Sequence, residues 1–162
     1  APYSKENAIK AKALAEILKM ALREKVREEN GETYGFALAI TLSKEPYQHS
    51  SANISFTCSP KNVDKILSEV KTIENEIKKG GVIDAKHLEN FKKSAIINIE
   101  KSYDQPDFWL RDIIANQIFG EELFDLDEYK KLINSITSED IKAAAKIYLD
   151  DKNEVISVNN PK

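Results

Sequence analysis

From Lys5 to Glu29 apolar residues recur at Ile9, Ala13, Ile17, Met20 and Ala21, three or four positions apart, which predicts one long helix with a buried face. Ser4 stands where an N-cap is wanted, and Asn30-Gly31 supplies a stop able to take positive φ. From Thr33 to Ser43 the period falls to two. Tyr34, Phe36, Leu38, Ile40 and Leu42 point one way, and Gly35, Ala37, Ala39 and Thr41 the other. Both faces of such a strand suit burial, the small one against closely packed helices or an incoming chain. After a polar loop containing Pro46, a second strand alternates Ala52, Ile54, Phe56 and Cys58 with Ser51, Asn53, Ser55 and Thr57. The two runs read as an antiparallel hairpin.

Helical spacing returns after Ser59-Pro60, an N-cap followed by N1, with Val63, Ile66, Leu67, Val70, Ile73 and Ile77 on one face and Gly80-Gly81 at the end. Asp84 caps the next helix, which carries Leu88, Phe91, Ala95, Ile99 and Tyr103 before Gln105-Pro106 breaks it. A helix with Phe108, Trp109, Ile113, Ile114 and Ile118 runs to Gly120, and a short one spans about Asp125 to Asn134. Thr137-Ser138-Glu139-Asp140 has the spacing of a capping box ahead of Ile141, Ala144, Ala145 and Tyr148. Val155, Ile156 and Val158 predict a last strand that joins the sheet. The whole is α+β in a single domain over 1–162: an antiparallel sheet, hairpin plus C-terminal strand, packed against several helices.

Composition narrows what such a domain does. At 41% hydrophobic and 31% charged, with net charge -3, the chain has Lys and Glu interleaved on the same helices, without the basic stripe that nucleic acid requires. No apolar run is long enough to span a membrane, and no signal-peptide core is present. The single cysteine, Cys58, excludes an internal disulfide framework and sits on an apolar strand face as a small core residue. His49 falls in a loop and His87 in the first turn of a helix, where a solvated or capping role is expected.

The stretch Arg27-Glu28-Glu29-Asn30-Gly31-Glu32-Thr33-Tyr34 carries the candidate chemistry. It places an arginine at a helix end and a tyrosine at a strand start, two hydrogen-bond donors at one junction. By themselves, a cation in the last turn answers the helix dipole, and a strand tyrosine is ordinarily half-buried.

Extended to Val26 and Gly35, this stretch resembles the L-R-E-x-x-G-x-x-Y-G segment of the C-terminal, non-catalytic domain of pitrilysin/insulinase-type zinc peptidases. Phe56-Thr57-Cys58-Ser59-Pro60-Lys61-Asn62-Val63-Asp64 resembles that family's F-x-C-x-P-E-N-V-D junction. Phe108-Trp109-Leu110 matches an aromatic pair after the long helix, and Ile136 to Ile141 with Ala144 to Leu149 match a closing V-T-x-E-D-I…A-A-K-K-Y-L signature.

The resemblance implies a pitrilysin/LuxS-like metallohydrolase-type domain that lacks its first strands. In that family the matching arginine and tyrosine, here Arg27 and Tyr34, hydrogen-bond the substrate backbone across an enclosed chamber, and the spacing selects Arg27 over Arg23. The zinc motif H-x-x-E-H is missing, since His87-Leu88-Glu89-Asn90-Phe91 lacks both its spacing and its second histidine. No catalytic residue, metal ligand or cofactor is therefore expected in this chain, and zinc is expected in the catalytic half of the parent. The implied partners are that half, in the same or a partner chain, and a peptide substrate; neither nucleic acid nor membrane is expected. An open sheet edge also makes a homo-oligomer conceivable. Bacterial periplasm and cytoplasm both stay open as compartments. Two alternatives stand beside this reading: an inert scaffold or partner subunit of the same family, and an unrelated protein-interaction domain.

Overall fold

The computed structural model describes residues 2–30, 33–81 and 85–159, with side chains described except at 26–34. In chain order these form α1 (Lys5–Asn30), β1 (Thr33–Ser43), β2 (His49–Cys58), a 3-10 turn (Pro60–Asn62), α2 (Val63–Lys79), α3 (Ala85–Tyr103), α4 (Pro106–Phe119), α5 (Leu126–Ser135), α6 (Ser138–Tyr148) and a second 3-10 turn (Asp151–Asn153). The class is α+β, as the alternation of periods predicts. The expected roles of Gly31 as a helix stop and Asp84 as a cap lie outside the described residues.

The chain divides into two compact units, 1–88 with 137–162, and 89–136. The first is built around α1. Ser4 starts it, its hydroxyl accepting a hydrogen bond from the Asn7 amide at 3.0 Å. The helix is buried on more than the single stripe the spacing predicts, because Ala11, Leu14, Ala15, Leu18 and Leu22 are covered as well as Ile9, Ala13, Ile17 and Ala21. Its alanines let β1, α2 and α6 pack against it together.

The hairpin pairs Phe36 with Phe56, Leu38 with Ile54 and Ile40 with Ala52. Phe36 and Ile40 are buried, and the two phenylalanine rings lie 5.5 Å apart. The other face differs from expectation: Gly35, Ala37, Ala39 and Thr41 are exposed, and only the face carrying the large side chains enters the core. Thr41 and Ser51 join across the exposed face, hydroxyl to hydroxyl at 2.9 Å.

After the hairpin, Ser59 makes no side-chain cap, and the turn at Pro60 is 3-10 before α2 begins at Val63. Gly80 ends α2 at φ 89°, where its amide and that of Gly81 reach back to Ile77 and Glu76. In α6 the capping box is complete: the Asp140 amide donates to the Thr137 hydroxyl, and the Thr137 amide donates to the Asp140 carboxylate.

The C-terminal strand is a correction. Among the described residues the sheet has two strands, and 155–158 adopt no regular structure. Their β-branched character suits a strand, but no backbone hydrogen bond joins them to β2 among the described residues. Val155 is 91% exposed.

The second unit holds an aromatic cluster of Tyr103, Phe108, Trp109, Phe124 and Tyr129. The Trp109 indole donates to the Tyr103 carbonyl at 2.8 Å, so its polar edge is satisfied.

Candidate functional site

The Arg27–Tyr34 junction is where the antiparallel ladder becomes irregular. Thr33 pairs with Cys58 and Phe36 with Phe56, so β1 holds one more residue than β2 between these pairs. Tyr34 and Gly35 form the bulge, with Gly35 at φ 148°. A Cβ there would meet nothing within 4 Å, so the demand for glycine comes from the backbone and not from space. Bulges bend a strand and re-aim its side chains, often beside functional sites. Arg27 falls in the last turn of α1. The side chains of Arg27 and Tyr34 lie outside the described residues.

One turn earlier on α1, Glu24 meets His87 of α3, carboxylate to imidazole Nε2 at 3.1 Å. His87 is 7% exposed. It is therefore a buried, paired histidine and not a solvated one. The sequence signal was available in part, since His87 stands one residue before the apolar Leu88. The glutamate that meets it, 63 positions away, could not be foreseen.

The described residues do not fit a zinc ion. Among them no group of three or more His, Cys, Asp or Glu side chains is arranged to hold a metal. His49 is turned to the Tyr47 carbonyl at 3.1 Å, and His87 is turned to Glu24.

A feature that local pattern could not announce is a cavity of about 710 Å3 beside the hairpin. One wall is β2 from Ser50 to Cys58, another is 154–159, and Val63, Leu67 and Val70 of α2 contribute apolar surface. Cys58, half-buried and free, is part of the lining, and Tyr148 is another part, its phenol pushed up by burial. Lys71 anchors the second wall. Its ammonium lies 3.0 Å from Glu74, 3.0 Å from Asp151 and 2.6 Å from Glu154. Burial alone would lower its pKa, but the hydrogen bonds to Glu154, Glu74 and Asp151 win and hold it well above the ordinary lysine value. Lys78 binds the other Asp151 oxygen at 3.1 Å. The two lysines also hold the Asp151 carboxyl below the ordinary range. Glu74 is only 6% exposed, so this network compensates a buried carboxylate as well as tying down the segment beyond α6.

Against known proteins, no family model matches the chain, and no curated protein matches it significantly in sequence. Solved structures do. The periplasmic protease PqqL from Escherichia coli superposes with a TM-score of 0.72 at 19% identity, over 92% of this chain and 16% of that one. A conserved protein from Enterococcus faecalis gives 0.74 at 19% identity, over 86% and 32%. A protease from Helicobacter pylori gives 0.70 at 15% identity, over 93% and 36%. Nearly the whole of this chain thus has the fold of one part of larger proteins, two of them proteases, and spans between about a sixth and a third of their length.

Proposed function

We propose that this chain is a single non-catalytic domain of a pitrilysin-type zinc metalloendopeptidase, a wall of an enclosed chamber in which peptides are cleaved. One observation carries the reading: the fold matches a fraction of two proteases while accounting for 92% and 93% of this chain. The motifs at 26–35, 56–64, 108–110 and 136–149 support it, because they occur in the pitrilysin order along the chain. The catalytic half would hold the zinc, which supplies an activated water when bound. This half would contribute Arg27 and Tyr34, a permanently charged guanidinium and a phenolic hydroxyl, both donors to a substrate carbonyl whose oxygen gains charge during hydrolysis. The bulge at Tyr34-Gly35 supports that assignment, since it sets the tyrosine off the regular ladder.

The exposed face of α4 supports a docking role toward the catalytic half. Leu110, Ile113, Ile114 and Ile118 recur at helical spacing and are all exposed, and exposed apolar side chains grouped on one element mark interaction sites when they form a patch.

The test uses the parent polypeptide. Arg27→Ala and Tyr34→Phe are each expected to lower kcat/KM on the order of 100-fold, mostly through kcat, with the melting midpoint unchanged. Wild-type kcat/KM in both variants would end the assignment. The chain by itself, supplied with zinc, is expected to show no turnover of a quenched fluorescent peptide.

A further inference from the structure

Helix α1 runs on past its own core contacts. Its last buried side chain among the described residues is Leu22, and Arg23, Glu24 and Lys25 are all exposed. The helix nevertheless continues to Asn30, and Arg27 stands in this overhang. A helix end lacks partners for its last carbonyls, and it opens locally when little packs on it. A guanidinium that must meet a carbonyl oxygen at hydrogen-bond range needs the opposite, a fixed base.

The fold ties the overhang at Glu24. Its Oε2 lies 3.1 Å from Nε2 of His87, in the first turn of α3. An ionised carboxylate only accepts, so the proton of this bond sits on Nε2 in either charge state of the ring. The two ends of the tether differ in kind. The Glu24 side chain is 58% exposed, whereas that of His87 is 9% exposed. His87 is held by what surrounds it and does not follow a helix end that drifts, so the bond forms only while α1 keeps its observed course. Burying an imidazole carries a desolvation cost that its hydrogen bond offsets, and an apolar side chain would avoid that cost. What the imidazole adds is direction.

Arg27 follows Glu24 on α1, about 4.5 Å along the axis and about 60° round it. A tether at Glu24 therefore sets both the height and the rotation of the backbone that carries Arg27.

We infer that His87 and Glu24 are positioning residues for Arg27: the imidazole fixes the carboxylate, and the carboxylate fixes the turn of α1 from which the guanidinium reaches the substrate carbonyl. The inference rests on the peptidase reading of Arg27 and adds to it two residues that act through that arginine.

The test is made in the parent polypeptide, with kcat/KM on a quenched fluorescent peptide as the first readout. Glu24→Ala is the main variant, because removing an exposed side chain leaves no cavity. It and His87→Ala are each expected to lower kcat/KM about tenfold, mostly through kcat. His87→Gln, whose side-chain amide offers an N–H in place of that on Nε2, is expected to recover most of the loss. A double-mutant cycle separates positioning from plain structural support. In an Arg27→Ala background, Glu24→Ala is expected to lower kcat/KM by less than about twofold further, because no guanidinium is left to misplace. A second readout needs no activity. In the chain itself, amide exchange over 25–30 is expected to quicken at least about fivefold in Glu24→Ala, although alanine is the better helix former, with exchange over 9–22 unchanged. Wild-type kcat/KM in Glu24→Ala, no recovery in His87→Gln, an undiminished loss in the Arg27→Ala background, or unchanged exchange over 25–30 each overturns the inference and leaves the role of Arg27 standing. Wild-type kcat/KM in Arg27→Ala overturns the peptidase assignment of Arg27 and this inference with it.

Discussion

Helices α1 and α4 are both apolar to the eye, and they meet opposite fates. α1 has Leu14, Ile17, Leu18 and Leu22 fully buried among β1, α2 and α6. α4 has no buried residue, and its Leu110, Ile113, Ile114 and Ile118 face water. Yet α4 is well formed, because its ends are locally specified. Pro106 opens it, Gly120 closes it at φ 64°, and Asp112 and Asn116 hold the following loop through the Phe124 amide and the Glu121 carbonyl. Local signals are enough to place a helix, and its neighbours decide whether its apolar face contributes stability.

That contrast breaks first under core truncation. Leu14→Ala should lower the unfolding free energy by about 2–5 kcal/mol through lost burial and a residual cavity, read by urea denaturation. The same change at Ile114 should cost under about 0.5 kcal/mol, as for other surface sites. Equal costs at the two sites would show that α4 is covered in solution, and the contrast would fall.

Next comes Thr137→Ala, which removes the capping box that begins α6, a helix packed on α1. The expected loss is about 1 kcal/mol, with the change confined to Cm and m unaltered. A value near zero would show that α1 holds α6 without its cap.

A smaller effect follows pH. Lys10 bonds Asp140 at 2.8 Å and Glu6 at 2.6 Å, linking α1 to α6. Asp140 is pushed up by partial burial but held below its ordinary 3.8 overall by the Lys10 and Thr137 hydrogen bonds. A lowered carboxyl pKa contributes stability that is complete above 3.8 and lost as pH falls through the depressed value. Lys10, raised by Asp140 and Glu6, contributes stability that is complete below 10.5 and lost as pH rises through its raised value. Asp140→Asn should therefore flatten the acid limb of the midpoint-against-pH curve and leave the neutral region less stable by at most about 1 kcal/mol. An unchanged acid limb would show that other carboxyls govern it.

The smallest effect on the chain itself is expected from Ile114→Ser combined with Leu110→Ser. Stability should move by a few tenths of a kcal/mol, in the range of exposed positions. If α4 docks on the catalytic half, the pair should weaken association of the two halves of the parent, measured by co-sedimentation. Unchanged association would separate α4 from that role.

Much of this molecule was legible in its sequence. The end of α2, the limits of α4 and α5, the hairpin, and the capping box at Thr137 follow from periodicity and from Gly, Pro and polar caps, which act within a few residues. The start of α2 does not, since it was expected at Ser59-Pro60 and comes at Val63 after a 3-10 turn. What failed to transfer was long-range. Val155, Ile156 and Val158 have strand chemistry but no strand, because Lys71 and Lys78 hold Asp151 and Glu154 on α2 and the segment makes no ladder with β2. His87 was expected to be solvated or capping and is buried, with Glu24 of α1 meeting its imidazole. The small face of β1 suited burial but is exposed at Gly35, Ala37, Ala39 and Thr41, while Phe36 and Ile40 on the other face enter the core. Of the candidate site, Arg27 and Tyr34 were readable as a helix end and a strand start, whereas the bulge between Thr33 and Phe36 was not. An extra residue in a ladder leaves no trace in a single strand's alternation.

Sequence by itself determined where most helices and the hairpin strands begin and stop, and that two donors stand at the junction of α1 with β1, because caps, turns and periodicity are short-range. Only the tertiary structure decided which apolar faces are used, which acids meet Lys71, and that β2 lines a cavity. Those outcomes depend on residues 63 to 80 positions apart, such as Glu24 with His87 and Lys71 with Asp151, and burial and ion pairing are settled only when such residues arrive in the same place.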